Sequence, residues 1–255
     1  ARPLPLPSAP SEPLRSTAHL IDSYAPLADV ALCVGGFLAF DVTAASIRAA
    51  IVDTLRPDIF LAGTISANRS EVNDAAHWEQ RTSQAIRPLL SLGPFAAVSV
   101  EPQPSFAELA EALRATPHWD AYAKQSSANG EGRLSPKDID PRLWLPSMLS
   151  PVFGNPGGNT MREFHYQSRC HALIVAREKR RASTYSRVMF TRIEYEWLQP
   201  HPPLSLLEPG YVWIPAGEDN DGLNDRHWVA SREGARVLLG RWDALLDGSA
   251  LRAVH

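Results

Sequence analysis

Three groups of residues have the types and spacing for chemistry. The first is in "TRIEYEW" (191–197), where Arg192, Glu194 and Glu196 stand two apart. In an extended chain alternate residues share a face, so these three would project together, with Ile193, Tyr195 and Trp197 opposite. Two carboxylates on one face suit a hard cation such as Mg²⁺ or Mn²⁺, which in turn neutralises a diphosphate. The fork of Arg192 matches either a carboxylate or a phosphate. The same pattern also fits a salt bridge at a solvated strand end. The second group is in "GEDNDGLNDRHW" (217–228). Here Asp225 is a candidate general base or hydroxyl acceptor, and His227 a candidate metal ligand or phosphate partner. Glu218, Asp219 and Asp221 superficially suggest a calcium loop, but the glycine comes too early and no terminal Glu follows at the EF-hand spacing. The third group is Gly35-Gly36-Phe37, where glycines would let backbone amides approach a phosphate or a base; a tight turn explains them equally well.

These groups need a scaffold. The apolar run "DVALCVGG" (29–36) reads as a strand buried on both faces, as in a mostly parallel sheet. "TAASIRAAIVDTL" (43–55) follows as a helix with Thr43 as N-cap, and "DIFLAG" (58–63) as a second strand. A helix over 73–90 starts at Asn73 or Asp74, and "FAAVSVEP" (95–102) is a third strand. The next helix opens with the capping box of Ser105 and Glu108. Alternating strands and helices predict an α/β fold: one open, doubly wound, mostly parallel sheet flanked by helices, with ligands at the carboxyl ends of the strands. The double glycine after the first strand lies at that edge.

The pattern dissolves over 116–158, then "NTMREFHYQSRCHALIVAREKRRA" (159–182) predicts a long helix with Phe164, Cys170, His171, Ile174 and Val175 on its apolar stripe. The strand carrying Arg192 follows, then a short strand "YVWIP" (211–215). An amphipathic helix over 231–248 closes the chain, capped by Ser231 and carrying Leu238, Trp242 and Leu245 on one side.

Composition narrows the function. A net charge of -3 lacks the basic excess of a nucleic-acid or membrane-surface binder. No run reaches the ~20 apolar residues of a membrane-spanning helix. Residues 1–28 read as a proline-rich linker or stem, able to lie along a protein partner, and 29–255 as a single α/β domain. Cys33 and Cys170 read as two separate small buried residues and set no disulfide framework. Asn68-Arg69-Ser70 is an N-glycosylation triplet, in keeping with a secretory route. The signatures of serine hydrolases, P-loop enzymes and zinc proteases are missing. A nucleotide-binding methyltransferase would want an acid ending the second strand, which "DIFLAG" does not supply.

In their order, "VALCVGGFL", "DIFLAGTIS", "FHYQSRCHALIVARE", "TRIEYEW" and "VWIPAGEDNDGLNDRHW" resemble a group of glycosyltransferase-like proteins of algae, plants and fungi with the type A nucleotide-diphospho-sugar transferase fold. The resemblance runs from about Val30 to Asp247. It implies transfer of a sugar from a nucleotide-sugar donor to a glycan or glycoprotein acceptor, in the lumen of the secretory pathway (Golgi). It implies Glu194 at the metal-binding position; by their own chemistry Glu196 and His227 are further candidate ligands for Mn²⁺ or Mg²⁺. Asp225 and Arg192 would be catalytic, and Gly35, Gly36 and Phe37 would cradle the nucleotide. Glu194 stands where the family has Asp, and Ala39 where a basic residue is expected. Those departures motivate the alternative of a catalytically inactive domain of this fold serving as a structural or binding subunit.

Overall fold

The computed structural model describes residues 29–38, 43–67, 69–122, 159–217 and 224–253. The proline-rich stretch, Ala39, Asn68, most of the 116–158 segment and the acidic residues Glu218, Asp219 and Asp221 lie outside these residues.

Among the described residues five strands form one sheet: β1 (Val30–Phe37), β2 (Asp58–Ile65), β3 (Phe95–Pro102), β4 (Arg187–Arg192) and β5 (His227–Ser231), in the order β3-β2-β1-β4-β5. All neighbours are parallel except β4 and β5. The chain lays down β1, β2 and β3 in one direction, then returns to place β4 on the other side of β1. The order therefore reverses between β1 and β4, and such a switch opens a crevice at the carboxyl ends of the strands.

Helices cover both faces. On one side lie α1 (44–55, with a π-helical turn at Arg48–Val52), α2 (Arg69–Asn73), α3 (Ala75–Ile86) and the 3-10 turn Arg87–Leu92. Ile47, Ile51, Leu89 and Leu92 pack there on Leu32, Val34, Leu61 and Met189. The other face carries α5 (Asn159–Arg181) and α6 (Arg232–Leu239), packed through Tyr166, Cys170, Ile174 and Leu239 on Cys33, Phe60, Phe190 and Trp228. Tyr166, Phe190 and Trp228 stack in series, with ring centroids 6.1 and 5.8 Å apart. Each of these fully buried side chains contributes roughly 1.5–3 kcal/mol. A third cluster joins α4 (Phe106–Arg114), the start of α5 and α7 (Arg241–Leu246) through Leu113, Met161 and Trp242.

Several expectations hold in detail. Ser105 and Glu108 form the capping box, Ser231 accepts from the Gly234 N–H, and Asp74 caps α3. Others change. Thr43 precedes α1 but does not cap it; its hydroxyl donates to the Ile193 carbonyl at 2.5 Å, tying α1 to the chain beyond β4. The helix over 73–90 ends as α at Ile86 and continues as the 3-10 turn, whose second residue, Pro88, lacks an N–H. Among the described residues "YVWIP" makes only one bridge, Trp213 to Val229. The closing helix is interrupted at Gly240. The buried face of α5 is rotated from the expected stripe: Glu163, Tyr166, Gln167, Cys170, Ile174 and Glu178 are buried, and Phe164, His171 and Val175 only partly.

Cys33 and Cys170 are both fully buried, as expected, but they are not separate. They form a disulfide across a Cα–Cα distance of 6.0 Å, joining central strand β1 to α5. No helix among the described residues is long and apolar enough to cross a membrane.

Candidate functional site

Arg192 is the last residue of β4 and pairs in register with Gly35 of β1, at the carboxyl edge where the strand order reverses. The strand does not continue through 197. The Ile193 N–H donates to the Gly35 carbonyl, and the Tyr195 N–H to the Arg192 carbonyl at 3.2 Å. The resulting turn folds Glu194 back over Arg192. Expected alternation along an extended chain is thus replaced by a turn, yet it still brings Glu194 and Arg192 together.

Arg192 Nε donates to Glu194 Oε1 at 2.5 Å, and Nη2 contacts the same oxygen. The remaining Nη1 lies 3.7 Å from Glu163 Oε2 and 3.9 Å from Asp225 Oδ1. One guanidinium therefore faces three carboxyl groups from three elements: Glu163 from α5, Glu194 from the turn, and Asp225 from the chain entering β5. Asp225 is placed because Asn224 is buried and bonded twice, accepting from the Arg226 N–H and donating to the Gly217 carbonyl. The Arg192 N–H also donates to the Arg226 carbonyl at 2.8 Å.

Behind this group runs a buried polar chain. Gln167 Nε2 donates to Glu163 Oε1 at 2.8 Å, and Arg241 Nη2 donates to Gln167 Oε1 at 2.7 Å. The Arg241 guanidinium lies 4.2 Å over the Phe164 ring. Burial, and then the charge of Asp225, push the Glu163 carboxyl well above the usual range, against the opposing pull of Arg192. Burial also raises the Tyr166 hydroxyl. Burial works against the charge on Arg192, but the surrounding Tyr166, Glu163 and Glu194 outweigh it and hold its pKa up. Arg192 and Asp225, both expected from sequence, meet here. Glu163, Gln167 and Arg241 were not expected; the signal for Glu163 and Gln167 was polar residues at i, i+4 on a long helix, and Arg241 on α7 had none.

The glycines are explained differently from a nucleotide cradle. A Cβ on Gly35 would stand 2.8 Å from Phe190 Cε2 and 3.1 Å from Tyr166 Cδ2, so the space is already filled by core rings. Gly36 adopts φ +140°, and a Cβ there would stand 3.0 Å from Glu194 Oε2. Phe37, half-buried, ends β1 opposite Thr64.

The expected metal ligands are not gathered. Glu194 and Glu196 are exposed, whereas His227 is 3% exposed. Alternation along β5 puts His227 with Val229 on the α1 face, and alternation along β4 puts Arg192 with Phe190 on the α5 face. His227 is boxed by Trp197, at 4.7 Å between centroids, and His201, at 5.4 Å. Burial, then His201, pushes its pKa down to about 3 against a smaller pull from the Phe190 carbonyl, and among the described residues neither ring nitrogen has a hydrogen bond of good geometry. Among the described residues no three His, Cys, Asp or Glu side chains converge as a metal-binding group. A cation held jointly by Glu194, Glu196 and His227 does not fit this arrangement.

A family model described as a domain of unknown function (DUF7796) matches residues 155–252. That segment spans α5, β4, β5, α6 and α7, and so holds every side chain of the charged cluster but not the glycines of β1. No curated protein and no solved structure matches the chain.

Proposed function

We propose that the chain transfers a sugar from a nucleotide-diphosphate donor to a hydroxyl of a glycan or glycoprotein, on a sheet of the type A nucleotide-diphospho-sugar transferase kind. The observation that carries this reading is Arg192, ringed by the carboxyl groups of Glu163, Glu194 and Asp225 at the edge where β1 and β4 diverge. Sugar transfer needs positive charge for the leaving diphosphate and a base for the incoming hydroxyl. Arg192 supplies the first. Asp225, the more open carboxylate with a side chain 41% exposed, supplies the second. The Cys33–Cys170 pair supports an oxidising lumenal compartment, where disulfides persist.

The test is calorimetric titration of nucleoside diphosphates into the purified protein, with and without Mn²⁺ or Mg²⁺, beside Arg192→Ala. Binding that Arg192→Ala abolishes supports the reading, and the cation series reads the metal requirement directly. If no nucleoside diphosphate binds in either condition, the enzyme reading is wrong.

One observation favours a second reading, a catalytically silent subunit of the same fold whose proline-rich arm meets a protein partner. Two nitrogens of the Arg192 fork are already engaged by Glu194, so the cation is satisfied from within.

A further inference from the structure

We propose that Glu163 is a positioning residue that carries a proton at neutral pH and donates it, from Oε2, in a hydrogen bond that orients Asp225. The direction of the polar chain decides which oxygen holds the proton. Arginine can only donate, so the group that Arg241 meets at 2.7 Å is the amide oxygen of Gln167. The Gln167 amide nitrogen therefore faces Glu163 and donates to Oε1, which must be an acceptor. Only Oε2 is left for the proton, and Oε2 is the oxygen on the Arg192 side of the carboxyl. Oε2 of Glu163 and Oδ1 of Asp225 lie 3.7 and 3.9 Å from the same nitrogen, Arg192 Nη1, so the two carboxyls are neighbours, and neighbouring carboxyls can bond to each other only if one of them is protonated.

Burial assigns the proton to Glu163. Its side chain is 5% exposed, whereas that of Asp225 is 41% exposed and keeps its water. Among the described residues no cation fully neutralises Glu163. Arg192 spends Nε and Nη2 on Glu194 and leaves Nη1 at 3.7 Å, outside hydrogen-bond range. Arg241 reaches Glu163 only through the Gln167 amide. Among the described residues the charged and titratable groups around Glu163 are thus Asp225, Arg192 and Arg241, with Tyr166 one turn along α5, and the burial and Asp225 together prevail.

The protonation stands on the burial of Glu163 and its contacts with Gln167, Arg192 and Asp225; its service to Asp225 as base rests on the sugar-transfer reading. A carboxyl whose folded pKa is raised binds its proton in the folded state at pH values where the unfolded chain has released it. Its contribution to stability is therefore greatest at low pH and is lost as pH rises toward the folded value. Glu163→Gln reproduces the protonated form, with an acceptor for Gln167 and a donor for Asp225, and cannot ionise. Melting temperatures of wild type and Glu163→Gln across pH 4 to 9 are expected to show the wild type losing ground to the variant as pH rises. A difference that stays constant, or that moves the other way, overturns the proposal. Infrared difference spectra of wild type at pH 7 give a check that needs no folded variant. A protonated-carboxyl stretch, shifted by ¹³C-glutamate labelling, is expected; with none, Glu163 is ionised. Neither measurement uses a nucleotide, so failure of the sugar-transfer reading leaves both interpretable.

Discussion

Replacing Gly36 by alanine separates two demands that the fold places on one residue. The backbone demand comes from φ +140°, a conformation that costs a non-glycine residue about 1–3 kcal/mol. The packing demand comes from Glu194, whose Oε2 stands 3.0 Å from the new Cβ. A carboxylate at the end of a flexible side chain can swing aside, but doing so loosens its contact with Arg192. Both partners are about a third exposed, which puts that pair at roughly 0.2–1 kcal/mol. The total expected for Gly36→Ala is about 1–4 kcal/mol by urea unfolding. In a Glu194→Ala background the packing part disappears and the backbone part remains, so the double variant should be less destabilised than the sum by roughly 0.2–1 kcal/mol. Gly35→Ala is the contrasting case. Its Cβ meets Phe190 and Tyr166 in the core, an overpacking cost of about 1–3 kcal/mol that Glu194→Ala should not relieve. Additivity of Gly36→Ala and Glu194→Ala, or loss of less than ~0.5 kcal/mol on Gly36→Ala alone, would refute the placement of Glu194 over β1.

Alkylation of the unfolded, unreduced protein should leave Cys33 and Cys170 unmodified, and replacing both by alanine should cost about 2–4 kcal/mol; two alkylated thiols by mass spectrometry would contradict the pairing. His227 should shape the acid limb of stability. Its folded pKa, pushed down to about 3 from 6.5, means that the unfolded chain takes up the proton first, so stability falls as pH drops from about 6.5 toward 3. His227→Phe should flatten that limb in pH-dependent melts, and an unchanged slope would remove His227 from the account.

The parallel half of the sheet was legible because its local signals are strong: unbroken apolar runs at β1 and β2, a third run at β3, and the Ser105–Glu108 box that opens α4. The far side was less so. Five-residue β5 is too short to announce itself, and "YVWIP" carries strand-forming residues that make one bridge at the sheet edge. The end of β4 misled for a specific reason. "TRIEYEW" keeps strand alternation, but the Gly35 carbonyl captures the Ile193 N–H and the chain turns, a tertiary event with no local mark. The Cys33–Cys170 bond was equally hidden, since two cysteines 137 residues apart set no spacing pattern. Within the site, Arg192 and Asp225 were found by residue type. Glu163 and Gln167 were missed because their importance comes from facing inward, and the rotation of α5 is fixed by packing on β1, β2 and β4.

The cluster is closer to charge balance than its composition suggests. With Glu163 neutral, Arg192 and Arg241 face the carboxylates of Glu194 and Asp225, two positive against two negative. A diphosphate entering this edge brings further negative charge, so it is accommodated only if it displaces an anion already present. Glu194 is the one that can leave. It is exposed, sits on a turn, and covers two of the three nitrogens of Arg192. Glu163 and Asp225 are held in place, the first by Gln167 and burial, the second by its link to Glu163 and the bonded Asn224 beside it. The difference between an active transferase and a silent domain therefore reduces to whether a ligand can outcompete an intramolecular carboxylate for one guanidinium. That competition is local to Arg192, and it is decided by the turn that places Glu194 over Gly36 rather than by the sheet, which both readings share.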